Sequence, residues 1–184
     1  MSRVLWARVG ERRTPRWWLA SLLVAGCATH RVDIDRRAEV PTSPQSIVLL
    51  PVVNASGAPL AGDRAEAILT TLLLSKGVEG LERYARPVDA GVPDLDDRRR
   101  YDEALASARA SGLEIGITGT VVEWRYRPGL DDEPAVSISL RIVEVESGRV
   151  LWSGSGSRGA RGTVGAVAQS LLSELVQAMP FGGG

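Results

Sequence analysis

Residues 115–157, IGITGTVVEWRYRPGLDDEPAVSISLRIVEVESGRVLWSGSGS, hold the stretch that decides the fold. Side chains two apart on a strand share a face. Over residues 115–127 that rule puts Val122, Trp124 and Tyr126 on one side and Glu123, Arg125 and Arg127 on the other. An acidic loop, Asp131-Asp132-Glu133-Pro134, leads into a stretch that alternates more cleanly, with Val136, Ile138, Leu140 and Ile142 against Ser137, Ser139 and Arg141. The phase then slips. Val143 and Val145 are apolar on the opposite parity, which predicts a bulge or a strand that runs past its cover. Ser147-Gly148 supplies a hairpin turn into residues 149–157, a strand carrying Val150 and Trp152. Strands joined by short turns in this way predict an antiparallel unit.

Working outward, a Gly- and Ser-rich link over residues 154–162 precedes a helix capped by Thr163. Its apolar residues Val164, Val167, Ala168, Leu171, Leu172, Leu175 and Val176 recur at three and four, the clearest amphipathic helix in the chain. On the other side, Asp96 or Asp97 starts a helix to about Ser111, with Tyr101, Leu105 and Ala108 inward and Arg98, Arg99, Arg100 and Asp102 outward. Before it, residues 80–93 show at most a short strand near Leu81–Tyr84. Asp63 is placed to cap a further helix to about Lys76, with the stripe Ala65, Ile68, Leu69, Leu72 and Leu73 and a stop at Gly77. Ile47-Val48-Leu49-Leu50 is a continuous apolar run, suited to a strand covered on both faces, and a turn follows at Asn54–Gly57. The element order predicts an α/β protein of the α+β type: a single mixed, largely antiparallel sheet covered by three helices.

The N-terminus has a different chemistry. Arg3, Arg8, Arg12, Arg13 and Arg16 precede an apolar run over residues 17–26, the charge order of a signal peptide. That run is too short to span a bilayer, which takes about 20 residues. Leu23-Val24-Ala25-Gly26-Cys27 resembles the lipobox of bacterial lipoproteins, in which small residues admit the peptidase and the thiol is acylated, with palmitate among its chains. Ala28 stands where an aspartate would favour retention in the inner membrane, so the outer membrane is expected. The expected organisation is a signal peptide over 1–26, a lipidated cysteine and polar tether over 27–45, one domain over 46–181 and a frayed end over 182–184.

Charge bounds the partners. The whole chain balances 22 basic against 22 acidic residues; without the first 26, which hold five arginines and one glutamate, 17 basic face 21 acidic. A mildly acidic surface disfavours nucleic acid and permits a cationic partner. No enzyme is expected. The one histidine, His30, lies in the tether, the one thiol is the acylation point, and no His, Cys or carboxylate set has metal-ligand spacing, so no metal or other cofactor is expected. The consecutive acids at 131–133 do not fix two opposed carboxyls at a set separation.

A family resemblance rests on particular residues. Val48-Leu49-Leu50-Pro51 with Asn54 and Ser56-Gly57, then Gly62–Leu69, resembles a broad group of periplasmic lipoproteins that includes LpoB, CsgG and PelC. Residues 119–126, Gly129 with Glu133–Val136, and Ser147–Ser153 look most like the PelC family of Pel exopolysaccharide export, as does Gly77-Val78-Glu79 with Leu81 and Tyr84. The resemblance spans about Ile47 to Pro180. It implies a non-enzymatic, ring-forming lipoprotein on the periplasmic face of the outer membrane, beside a PelB-like outer-membrane barrel. There an acidic funnel guides a cationic exopolysaccharide. It further implies that Trp152 faces membrane lipid; the residues alone leave a core position equally open. Asp131, Asp132, Glu133 and Glu123 are the candidates for the polymer-guiding acids. Alternatives are an LpoB-like activator of a peptidoglycan synthase, which needs a longer arm, and a CsgG-like secretion lipoprotein, which needs membrane hairpins of about 9–11 residues per strand.

Overall fold

The computed structural model describes residues 30–41, 46–84, 96–129 and 132–181. Cys27, Asp131, the signal peptide and residues 182–184 lie outside them. In chain order the elements are β1 (His30–Arg36), β2 (Ile47–Asn54), α1 (Ala61–Ser75), β3 (Leu81–Arg83), α2 (Asp97–Ala110), β4 (Ile115–Tyr126), β5 (Pro134–Glu144), β6 (Val150–Gly159) and α3 (Val164–Gln177). They form one six-stranded mixed sheet in the order β1-β6-β5-β4-β2-β3, with β2 parallel to β3 and β4 and the remaining pairs antiparallel. The expected α+β architecture is the observed one.

Two layers of core sit on the two faces. On the back face, α1 and α3 cover Leu49, Ile117, Val121, Val136, Ile138, Leu140, Ile142 and Trp152 with Leu69, Leu73, Leu171, Leu172 and Leu175. Each large side chain removed from water in this way contributes about 1.5–3 kcal/mol. Gly62 lets α1 approach so closely, since a Cβ there would lie 2.3 Å from the Val52 carbonyl oxygen. On the front face, α2 alone covers Val48, Leu50, Val143 and Val145 through Ala104 and Ala108. That arrangement explains the phase slip read in the sequence. Val143 and Val145 have their own cover on the opposite face, and the register shift at Ile142/Val143 places the extra residue, Leu151, in β6.

Three local expectations change. The tether over 27–45 contains β1, whose Val32 and Ile34 alternate with Arg31, Asp33 and Asp35 and pair along the whole of His30–Arg36 with β6. Its charges are tolerable because it is an edge strand, where charged side chains also discourage pairing with other chains. Asp63 does not cap α1; Leu60, in the left-handed region at φ 58°, precedes the helix and Asp63 lies in its first turn. Arg100 points inward, because the α2 face that meets α1 has acidic partners to satisfy it. Asp96 and Thr163 do cap α2 and α3, accepting from the backbone N–H groups of Arg99 and Ala166.

Candidate functional site

The topology gives the molecule two unlike ends. At the upper end β2, β4 and β6 finish and β1 and β5 begin. All three helices start there: α1 follows β2, α3 follows β6, and Asp97 of α2 accepts a 2.8 Å hydrogen bond from the Asn54 backbone N–H at the end of β2. Their C-termini therefore share the lower end. A helix C-terminus carries about half a negative charge, so three of them bias that end negative.

Side chains reinforce the difference. Glu39 after β1, Glu79 between α1 and β3, Glu114 before β4 and Glu146 in the β5–β6 turn are all exposed at the lower end. None forms an ion pair among the described residues. Glu144 beside them is engaged by Arg149 at 3.3 Å and by the Ser147 hydroxyl, whose hydrogen bond chiefly holds its carboxyl below the usual range. The exposed Arg36, Arg37 and Arg109 share this end with the four glutamates, and Lys76, at the C-terminus of α1, offsets one of the helix ends. Its Nζ donates to the carbonyls of Val176, Gln177 and Met179 at 2.9, 2.9 and 2.8 Å, closing the end of α3, and burial lowers its pKa. Sequence periodicity could not show this group of unpaired carboxylates, since the four glutamates sit in four separate connections.

Of the acids singled out in the sequence, Glu123, Asp132 and Glu133 lie at the upper end instead. Asp132 and Glu133 are exposed in the β4–β5 loop, while Asp131 is outside the described residues. Glu123 is held by Arg125 and Arg127 at 3.0 Å each. The hydrogen bond from Arg127 is the main reason its carboxyl is depressed. Glu123 is thus charged but matched, and adds little to a field that a distant cation would feel.

Trp152 occupies the core position of the two left open. It has 0% exposed surface, lies over Gly154, and its indole N–H has no acceptor among the described residues. A Cβ on Gly154 would sit 2.6 Å from the indole Cη2 and 2.9 Å from Ile34 Cδ1, so β1 helps to close this pocket. The lipid contact implied by resemblance finds no exposed ring in the isolated chain. Among the described residues there is no group of three or more His, Cys, Asp or Glu that could hold a metal, and no helix long and apolar enough to cross a membrane.

No family model matches the chain, and no curated protein matches it significantly. Solved structures do. The PelC dodecamer from Paraburkholderia phytofirmans aligns at 26% identity and TM-score 0.65 over 82% of this chain and 99% of that one. A single-substitution variant of the same dodecamer gives 25% identity and TM-score 0.66 over 85% and 99%. The lipoprotein GNA1162 from Neisseria meningitidis aligns at 20% identity and TM-score 0.47 over 73% and 96%. The chain is similar in fold and sequence to PelC across nearly all of its folded part, and that likeness supports a homo-oligomer.

Proposed function

We propose that this chain is a lipoprotein of cationic exopolysaccharide export, acylated at Cys27 and held on the periplasmic face of the outer membrane. It assembles as a ring beside a PelB-like barrel and catalyses nothing itself. The observation that carries the reading is the likeness to dodecameric PelC over 85% of the chain. The two ends give it a direction. His30 opens β1 at the upper end and stands three residues after Cys27. At 3.3–3.6 Å per residue, the upper end can lie no more than about 11 Å from the acylated residue. That end therefore faces the membrane, and the lower end with its four unpaired glutamates faces the periplasm.

A polymer approaching from the periplasm then meets Glu39, Glu79, Glu114 and Glu146 first, multiplied around the ring. Asp132 and Glu133 stand on the membrane side, where they receive the polymer as it leaves. Attraction between a multiply charged rim and a polycation is long-ranged and salt-sensitive, with a screening length of about 8 Å at physiological ionic strength. Loose, screened contacts suit a conduit because the polymer must also leave. Trp152 has no part in this proposal, its ring being enclosed.

The test uses the chain from Ala28 onward, which contains every described element, and chitosan oligomers as a cationic probe. Binding should appear at low salt and fade by 0.5 M salt. The variant with all four lower-end glutamates changed to Gln should bind at least tenfold more weakly, whereas Glu123→Gln should bind as the parent does. Equal binding by the fourfold variant would refute the assignment of that end.

A further inference from the structure

Helices cover the sheet unevenly. The back face carries α1 and α3, but the front face has only α2, packed over β2 and the lower part of β4 and β5. The front of β5 and β6 is left open. The paired residues there are Ser137 with Ser157, Ser139 with Ser155 and Arg141 with Ser153, five hydroxyl side chains and one guanidinium, bordered by Arg31, Asp33 and Asp35 on the same face of β1. Where it meets α2, a cleft of about 610 Å³ is lined by Val53, Arg98, Tyr101, Asp102, Thr120 and Arg141. The Nε of Arg141 is buried at this cleft with no hydrogen-bond partner among the described residues. A buried guanidinium N–H without an acceptor is costly, and native structures rarely keep one.

The opposite side of the molecule is unusual in another way. A solvated helix face normally carries charge, as α2 does with exposed Arg98, Arg99, Asp102 and Glu103. The outward residues of α3 are Gly165, Ala166, Gln169, Ser170 and Gln177, and its one charged residue, Glu174, is held by Arg158 at 2.8 Å and by His30 at 2.9 Å. Past Arg64, the outward residues of α1 are Ala67, Thr71, Leu74 and Ser75, with Leu74 57% exposed. Apart from Arg64 and the paired Glu174, both back helices thus present an uncharged surface to water. Burying it would not strip solvent from charges, the main cost of a protein interface, and interface centres are depleted of charge for that reason.

We infer that successive copies of this chain join front to back, the open hydroxyl face of β5 and β6 in one copy receiving the outer faces of α1 and α3 of the next. The occupant of the open face is a second copy of the chain. Its Gln and Ser oxygens supply acceptors for the front of the sheet and for the Arg141 cleft. The two contacting surfaces differ, so the contact is heterologous and repeats until it closes into a ring. This inference rests on the ring reading above and specifies which surfaces make the ring.

Heterologous contact has a signature that sizing can read. Ser155→Lys places a charge at the centre of the front face, and Gln169→Lys places one at the centre of the back face. Both sites are exposed in the single chain, so both variants should keep the parent's far-ultraviolet circular dichroism spectrum, while melting below an assembled parent. In sedimentation velocity on the chain from Ala28 onward, the parent should form a large closed species and each variant alone should be monomeric. Mixed in equal amounts, the variants should form a species of twice the monomer mass and nothing larger, because one intact front meets one intact back. A large parent species with either variant still assembling to parent size, or with the mixture remaining monomeric, would overturn the front-to-back contact alone. A parent that stays monomeric at every concentration would instead overturn the ring itself.

Discussion

Arg100→Met should be the most damaging single change outside the apolar core. Arg100 leaves α2 with its side chain 5% exposed and meets Glu66, whose side chain is 8% exposed, together with Asp63 at 3.1 Å and Asp97 at 3.5 Å. Glu66 also accepts from the Val52 backbone N–H at 2.9 Å, so one buried carboxylate ties α1, α2 and β2. Removing the cation strands that carboxylate away from water, a change that costs about 3–5 kcal/mol. At about 2–4 °C per kcal/mol for a chain of this size, Tm should fall by about 6–20 °C. Adding Glu66→Met should recover part of the loss but not all, since the Val52 N–H then lacks its acceptor, worth about 1–3 kcal/mol.

The deficit should also depend on pH, with a definite sign. Burial already pushes the Glu66 carboxyl up, against the Val52 N–H and Arg100, which pull it down. Without Arg100 it rises further, so the folded variant holds a proton that the unfolded chain releases near pH 4.3. The deficit is complete above the variant's folded pKa and shrinks as pH falls toward the parent's own, less raised folded value. Thermal melts of parent and variant at pH 7 and pH 5 measure it. A variant melting within about 2 °C of the parent, or a deficit identical at both pH values, would refute this account of the network.

Two further perturbations test the lower end and the enclosed tryptophan. Lys76→Met should lower stability by about 1–3 kcal/mol, because three carbonyls at the end of α3 lose a charged donor; hydrogen exchange should show earlier opening of α3 than of β5. Trp152→Ala should cost about 3–5 kcal/mol from the cavity it leaves, while Trp152→Phe, which also removes an orphaned N–H, should cost far less in urea titrations. The Phe variant should bind lipid vesicles as the parent does.

Most of the architecture was legible because most of it follows periodicity. The alternation over Val136–Ile142, the three-and-four spacing over Val164–Val176 and the caps at Asp96 and Thr163 each point to one element, and the structure holds each of them. What the sequence hid depends on partners far along the chain. β1 offers only Val32 and Ile34 as apolar residues and is a strand because β6 lies beside it. Arg100 belongs to an Arg triplet that looks solvated until Asp63 and Glu66 are brought against it from α1. The candidate site divides in the same way. Consecutive acids at 131–133 are conspicuous in a string of letters, whereas Glu39, Glu79, Glu114 and Glu146 come to one end of the molecule only when the strands bring four connections there.

Polymer secretion measures the central claim most directly. In cells that secrete a cationic exopolysaccharide with this chain as the native component, its deletion should leave polymer in the periplasm and none in the medium. The parent chain should restore release, while Cys27→Ser and the fourfold glutamate variant, each accumulating to parental levels, should not. Undiminished release from cells lacking the chain would contradict its role in export.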